Sequence, residues 1–290
     1  MRLRQRHPDG TSVKTVCELF GKTRGAYYKK TDEQVTAWRL KEKEILEQVR
    51  QIRSEAPGIG CYKLFLMLKK LYGKRMTGRD RFYALLRRNH LMLKPERTRH
   101  TTNSNHQFRK YTNLAKDMVV NAPNRLWVAD ITYIALAAGV CYLHLLTDAF
   151  THEVVGWTLS DSLKAEATLR AFDMAVEATG GPEAVKALTH HSDRGVQYCC
   201  TLYTDRLKSL GVRISMTEDY KPTDNAVAER MNGIIKQEWL YRQPLPRDID
   251  EARATISRVI RFYNHRRPHR SNGFKTPAKM RASHNADEGL

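Results

Sequence analysis

The sequence predicts a mixed α/β sandwich preceded by an all-helical, strongly basic segment. Three observations carry that expectation. Beyond residue 121 strand-like and helix-like stretches alternate in the order β-β-β-α-β-α-β-α. The charge is divided: residues 1–120 hold 28 Lys/Arg against 11 Asp/Glu (+17), whereas residues 121–290 hold 22 against 20 (+2). Finally, three acids, Asp130, Asp193 and Glu229, interrupt patterns that are otherwise apolar or helical.

Residues 11–30 read as a helix, a tight turn and a second short helix. Ser12 is the candidate N-cap, and Val13, Val16, Leu19 and Phe20 form an apolar face. Gly21 stops the first helix and Thr23 can cap the next. This helix-turn-helix pattern would turn Arg24 and Tyr28 toward DNA; a plain helical hairpin is the alternative. A charged connector helix is expected over 33–53, broken at 54–60 by Pro57, Gly58 and Gly60. A second two-helix unit follows, Cys61 to Leu71 and Gly78 to Asn89, with Leu64, Leu68, Phe82, Leu85 and Leu86 as its core. Lys74, Arg75, Arg79 and Arg81 belong to its solvated side, where a phosphate backbone would supply the missing counter-charge. From Lys94 to Asn113 the chain turns polar and basic, as a linker does.

In the second part, strands are expected at 125–135, 140–147, 153–159, 186–192 and 212–216. Helices are expected near 164–179, ended by Gly180-Gly-Pro182, near 199–210, and around Glu229. Three antiparallel strands followed by crossovers describe a ribonuclease-H-type sheet. The expected organisation is therefore a helix-turn-helix with connector over 1–55, a second module over 56–93, a linker over 94–120, a catalytic core over 121–245 and a C-terminal helix with basic tail over 246–290.

A hydrophobic content of 41% supports a proper core. No run nears 18 apolar residues and the N-terminus lacks an apolar signal core. A cytoplasmic protein with no membrane partner is the expectation. The five cysteines form no C-x-x-C pair and no zinc-type spacing, so free thiols are expected and zinc is not. A net charge of +19, placed mostly before the sheet, suggests a module for a polyanion joined to something else.

Asp130 lies between Val128 and Ile131, where a carboxylate is costly to bury without a metal or a charge partner. Asp193 ends a strand, and Glu229 follows it by 35 intervening residues. At roughly 100° per residue, Asn225, Glu229, Asn232 and Lys236 form one stripe, with Val227, Met231 and Ile234 opposite to pack on the sheet. Oxygen ligands so disposed suit hard divalent cations and phosphoryl transfer. No phosphate-binding P-loop and no glycine-flanked nucleophile elbow is present. Asp148 reads more readily as a turn residue than as a fourth metal-proximal carboxylate, and His190 and His191 as strand-end structural or DNA-backbone residues than as ligands, while Tyr198 reads equally as a helix-start packing residue or a DNA neighbour. Trp127 and Trp157 read as core.

Four ordered segments, Trp127-Val-Ala-Asp-Ile-Thr132, His191-Ser-Asp-Arg-Gly-Val-Gln-Tyr198, Asp224 to Lys236 and Tyr263-Asn-His-Arg-Arg-Pro-His269, together resemble the DDE transposases of bacterial insertion sequences. These have a retroviral-integrase-like catalytic core, and the chain looks like the second-frame product of the two-frame group. The resemblance covers about 121–283 and implies DNA nicking and strand transfer. It implies that Asp130, Asp193 and Glu229 ligate two Mg²⁺ or Mn²⁺ ions. It further implies DNA contact by Lys236 and by Tyr263, Asn264, Arg266, Arg267 and His269, with Asn225 steadying the catalytic helix or touching the backbone. Double-stranded DNA, a homo-oligomer, an upstream-frame partner and a nucleoid location follow from the same likeness. A DNA-binding regulator with an inactive core and a ribonuclease-H-type nuclease are the alternatives.

Overall fold

The computed structural model of the protein describes residues 12–28, 32–93, 108–218 and 225–287. Two compact units, Met1–Arg50 and Gln51–Leu290, divide within one helix. The first unit holds α1 (Val13–Leu19), α2 (Arg24–Tyr28) and most of α3 (Asp32–Glu55). Ser12 Oγ accepts the Thr15 amide at 3.2 Å, capping α1 as expected. Gly21 turns the chain at φ 59°. The expected apolar face is narrower than read, because Val16 and Cys17 are buried whereas Leu19 and Phe20 are 76% and 52% exposed. Arg24 is exposed, and the side chain of Tyr28 lies outside the described residues, as do 94–107 of the expected linker.

In the second unit, α4 (Cys61–Tyr72) and α5 (Arg79–Arg88) pair around Leu64, Leu68, Phe82, Leu85 and Leu86, all buried as the 3.6-residue period requires. Lys74, Arg75, Arg79 and Arg81 stay exposed. The described strands make one sheet in the order β3-β2-β1-β4-β5. Its members are β1 (Leu126–Leu136), β2 (Gly139–Asp148), β3 (Val154–Ser160), β4 (Thr189–Ser192) and β5 (Arg213–Met216). The first three pair antiparallel, and β4 joins β1, then β5 joins β4, in parallel. The expected mixed sheet is thus present.

One face of the sheet is covered by α6 (Ala165–Ala178), α7 (Val196–Cys199) and α8 (Thr201–Ser209), whose Phe172, Tyr198 and Tyr203 share a core with Trp127 and Leu146 of the strands. Alternation along β1 sends Leu126 and Val128 to the other face, where they meet Ala228 of α9 (Ala226–Glu238). The chain closes with α10 (Ile249–His265) and α11 (Pro277–Asp287). Residues 111–120 do not act as a spacer: Tyr111 packs on the main core and the Leu114 amide reaches Ser215 Oγ at 2.8 Å, so this stretch borders β5. Trp157, expected in the core, is only half-buried on the outer strand β3.

The buried histidines are structural. Tyr203 Oη lies 2.8 Å from His190 Nε2, and His191 Nδ1 lies 2.8 Å from Ser215 Oγ. Burial pushes His190 down to about 3, so it is neutral near pH 7. Tyr198 packs its ring against His190 and Tyr203. Asp148 organises the turn after β2: its Oδ1 accepts the Phe150 and Thr151 amides at 3.1 and 2.8 Å, and Oδ2 accepts that of Asn124.

Gly156 sets the distance between β3 and α6. A Cβ there would stand 2.2 Å from the Ala171 carbonyl oxygen and 2.7 Å from Ala175 Cβ. Gly156→Ala is therefore expected to push α6 off the sheet and lower unfolding free energy by about 1–3 kcal/mol or more, read by urea denaturation. An unchanged midpoint would refute this close-contact account.

Candidate active site

The parallel register aligns two of the three acids. Leu126, Trp127 and Val128 pair with Thr189, His190 and His191. Continued by two residues, that register sets Asp130 level with Asp193, just past the end of β4. By strand alternation Asp130 shares the face of Leu126 and Val128, the face that α9 covers. The third acid, Glu229, is exposed in the first turn of α9.

Side-chain amides of α9 hold this arrangement. Asn232 Nδ2 donates to Asp130 Oδ2 at 2.7 Å, and the Ile131 amide donates to Oδ1 at 2.8 Å. Asn225 Nδ2 donates to the Ala129 carbonyl at 3.1 Å, tying the start of α9 to β1. Asp193 Oδ1 accepts the Gly195 amide at 3.0 Å, which folds the loop after β4 around the carboxylate.

The polar stripe of α9 is split: Asn225 and Asn232 are buried against β1 whereas Glu229 is exposed. Of the apolar residues opposite, Val227 packs by Leu126 and Val128 together with Ala228, and Met231 and Ile234 are buried along a cleft on that side. The physical reason is Asp130: a carboxylate inside the sheet layer draws the amide-bearing edge of the helix toward it.

The electrostatics are those of like charges packed together. Burial, reinforced by Asp193 and Glu229, pushes Asp130 up to about 7, against the opposing hydrogen bonds from Ile131 and Asn232. Burial and the same two aspartates also raise the Tyr198 phenol well above its ordinary range. Lys236 sits on the same side of α9, its Nζ 4.3 Å from the centroid of the Tyr133 ring. Burial lowers its ammonium pKa and the nearby Asp130 opposes that.

An oxygen-only donor set of two aspartates and a glutamate suits Mg²⁺ or Mn²⁺. Among the described residues no three His, Cys, Asp or Glu side chains are drawn closely enough to grip an ion. Asp193 and Glu229 nevertheless bear on Asp130 electrostatically, and Lys236 is a nearby cation that interacts with it. The residues fit a divalent metal by charge and chemistry.

The other expected DNA-facing residues divide. Arg266 is exposed and pairs with Glu55. Arg267 does not face outward: it is 2% exposed, and its Nε and Nη2 reach the two Glu238 oxygens at 2.7 Å each. His269 is also buried, stacked on His152 with ring centroids 4.4 Å apart. Tyr263 and Asn264 are interior, Tyr263 Oη donating to the His152 carbonyl and Asn264 bridging both backbone groups of Val154. This segment is a structural corner, because Glu238 supplies a buried counter-charge that composition alone does not reveal. Sequence reasoning passed over Glu238 and gave Asn232 no role beyond the stripe.

Comparison with known proteins agrees with the fold. Residues 120–222 and 210–277 each match the integrase core domain family. An insertion element IS600 31 kDa protein of Shigella sonnei is 34% identical over 275 residues, covering 92% of this chain and 97% of the relative. A putative transposase of insertion element IS986/IS6110 from Mycobacterium tuberculosis is 33% identical over 167 residues; the match spans 57% of this chain and 60% of that relative's length. Among solved structures, the HTLV-2 integrase catalytic core domain matches 55% of this chain and 97% of that chain, at 21% identity and a TM-score of 0.44. With an integrase core domain and full-length similarity to an insertion-element protein, the chain belongs to the insertion-sequence transposases that carry an integrase-like core.

Proposed function

We propose that the chain is a DNA transposase that nicks and joins strands at the ends of its element by phosphoryl transfer, with Asp130, Asp193 and Glu229 holding two Mg²⁺ or Mn²⁺ ions. The observation that carries this reading is the alignment of Asp130 on β1 with Asp193 just past the end of its parallel neighbour β4, under the helix that presents Glu229. Two such ions would supply activation of the attacking hydroxyl and charge compensation at the departing oxygen. Asn232 and the Ile131 amide fix the Asp130 carboxylate, and the Gly195 amide fixes that of Asp193. Lys236, held over Tyr133 and near Asp130, would meet a phosphate of the DNA end. Exposed Lys74, Arg75, Arg79 and Arg81, with Arg266, would offer cations to the duplex, and exposed Arg24 would do so from the N-terminal unit on its own. Handling two element ends calls for a homo-oligomer, and a partner from the upstream frame fits the same scheme. Among the described residues no helix is long and apolar enough to cross a membrane.

The test incubates the protein with element-end DNA and Mg²⁺ or Mn²⁺, scoring 3′-end nicks and joined strands. Wild type should give both, and Glu229→Gln should fall to background while still binding DNA. Binding without cleavage in either metal would defeat the enzyme reading. Cleavage confined to RNA–DNA hybrids would favour a ribonuclease H.

A further inference from the structure

Behind α9, on the side turned away from Glu229, lies a cleft of about 750 Å³. At roughly 100° per residue, Arg230, Met231 and Ile234 fall on the face of the helix opposite Asn225 and Glu229. They line the cleft together with Tyr62 and Lys63 of α4 and the turn that carries Arg270 and Phe274. None of this is used by the three acids.

The lining is unbalanced in charge. Lys63, Arg230, Arg267 and Arg270 contribute to it, and no carboxylate does among the described residues. Glu238 reaches Lys63 and Arg267 from behind, one anion for two cations. Arg230 and Arg270 are exposed and make no ion pair among the described residues. The imidazole of His269 registers the excess: after burial, His152, Arg267, Lys63 and Arg230 all push it down, to about 3. Cations gathered in a partly enclosed cleft repel one another unless an anion enters.

Shape points to the kind of anion. The volume suits a nucleotide or a short stretch of one strand and excludes a duplex. Tyr62 is 41% exposed, held between a stacked Phe65 and a T-shaped contact with Phe274 at centroid distances of 6.5 and 5.2 Å, so an ordered aromatic side chain stands accessible beside the cations. Two non-glycine residues of the lining, His152 and Phe274, hold positive φ values of 57° and 65°. Such strain gathers at ligand clamps.

We propose that this cleft binds a phosphate group of a single DNA strand, with Arg230 and Arg270 on the phosphate and Tyr62 against the adjoining base or sugar. The strand as the source of the phosphate rests on the DNA-transposase reading; the anion site itself does not. The position, one helix thickness behind the catalytic acids, would let it retain a strand flanking the cut.

The test uses Glu229→Gln protein, so that no strand is consumed, with and without R230Q/R270Q. Binding of a short fluorescent single-stranded oligodeoxynucleotide is followed by anisotropy across a salt series. The double variant should bind at least about tenfold more weakly, and its logarithmic salt slope should be shallower by about 1.4, the loss of two phosphate contacts on a single strand. Unchanged affinity and slope in a double variant of normal melting temperature would overturn the proposal. Inorganic phosphate and thymidine monophosphate are added as competitors. Weak competition by both supports the strand; a monophosphate binding as tightly as the oligonucleotide would uphold the anion site and overturn its assignment to a strand. Wild type that binds here yet cuts no DNA would sink the transposase reading and leave the cleft standing.

Discussion

Asp130→Asn is expected to raise the melting temperature of the metal-free protein while abolishing strand cleavage. The carboxylate is pushed up to about 7 by burial and by Asp193 and Glu229, so its ionised form is disfavoured in the fold relative to the open chain. A folded-state pKa above the unfolded one means that stability is fully present below the unfolded value of 3.8 and is lost as pH rises through about 7. The advantage of asparagine should therefore be near zero toward pH 4 and largest above pH 7, on the order of 2–4 kcal/mol. Asparagine keeps one oxygen to accept the Ile131 amide, and its NH2 donates to Asn232 Oδ1 once that side-chain amide flips, so neither contact need be lost. Magnesium makes the second half of the test. It should raise the melting temperature of the wild type above pH 7, where it offsets the ionised acids, and chelation should reverse the gain. The variant should show little response to either. A variant less stable than wild type at every pH would mean that Asp130 is an ordinary buried, well-paired acid, and the metal reading would lose its electrostatic support.

That carboxylate was also the most legible feature of the sequence. An aspartate between Val128 and Ile131 breaks a strand pattern at a place where local propensity offers no reason for it. The strand order was readable because three consecutive strands without a long connection must pair antiparallel, and because later helices enforce parallel crossovers. The orientation of α9 was less accessible. Its periodicity defines a polar stripe and an apolar stripe, but which one meets the sheet depends on what the sheet offers. Here β1 offers Asp130 and the Ala129 carbonyl, and Asn232 and Asn225 turn inward to meet them. The same limit applies to the basic corner at 266–269. Adjacent arginines look alike in sequence, yet Arg266 is exposed and Arg267 is buried, because Glu238 stands 29 residues earlier and folds back against one of them. Trp157 and Phe20 were misjudged for a related reason: hydrophobicity marks residues able to be buried, not those that find a neighbour.

Arg267→Ala is expected to cost about 3–5 kcal/mol in unfolding free energy, far more than loss of a surface DNA contact would. Its guanidinium is gripped on both sides, donating from Nε and Nη2 to Glu238 at 2.7 Å each and lying 5.4 Å from the centroid of the Tyr263 ring. Burial alone would raise the Glu238 pKa, but Arg267 and Lys63 hold it below the usual range, so truncating Arg267 leaves a buried carboxylate with Lys63 as its remaining partner. Arg267→Lys should rescue little, since an ammonium cannot reproduce the two parallel hydrogen bonds. Removing the acid as well, in Glu238→Gln/Arg267→Met, should recover most of the loss, because the penalty is the uncompensated charge. The effect should also spread beyond the pair. Glu238 ends α9, its carbonyl accepts the Gly58 amide at 2.7 Å, and the next residue, Trp239, donates from Nε1 to the Glu55 carbonyl at 2.8 Å. A Cβ on Gly58 would meet Glu238 Cα at 2.5 Å, so the chain entering α4 is laid directly on the end of the helix that bears Glu229. Hydrogen exchange should accordingly speed up at residues 55–63 and along α9 in Arg267→Ala while the amides of β1 and β2 stay protected. If the variant kept full stability and lost only DNA affinity, Arg267 would be a DNA contact after all, and the buried pair would not be what joins this helix to α4.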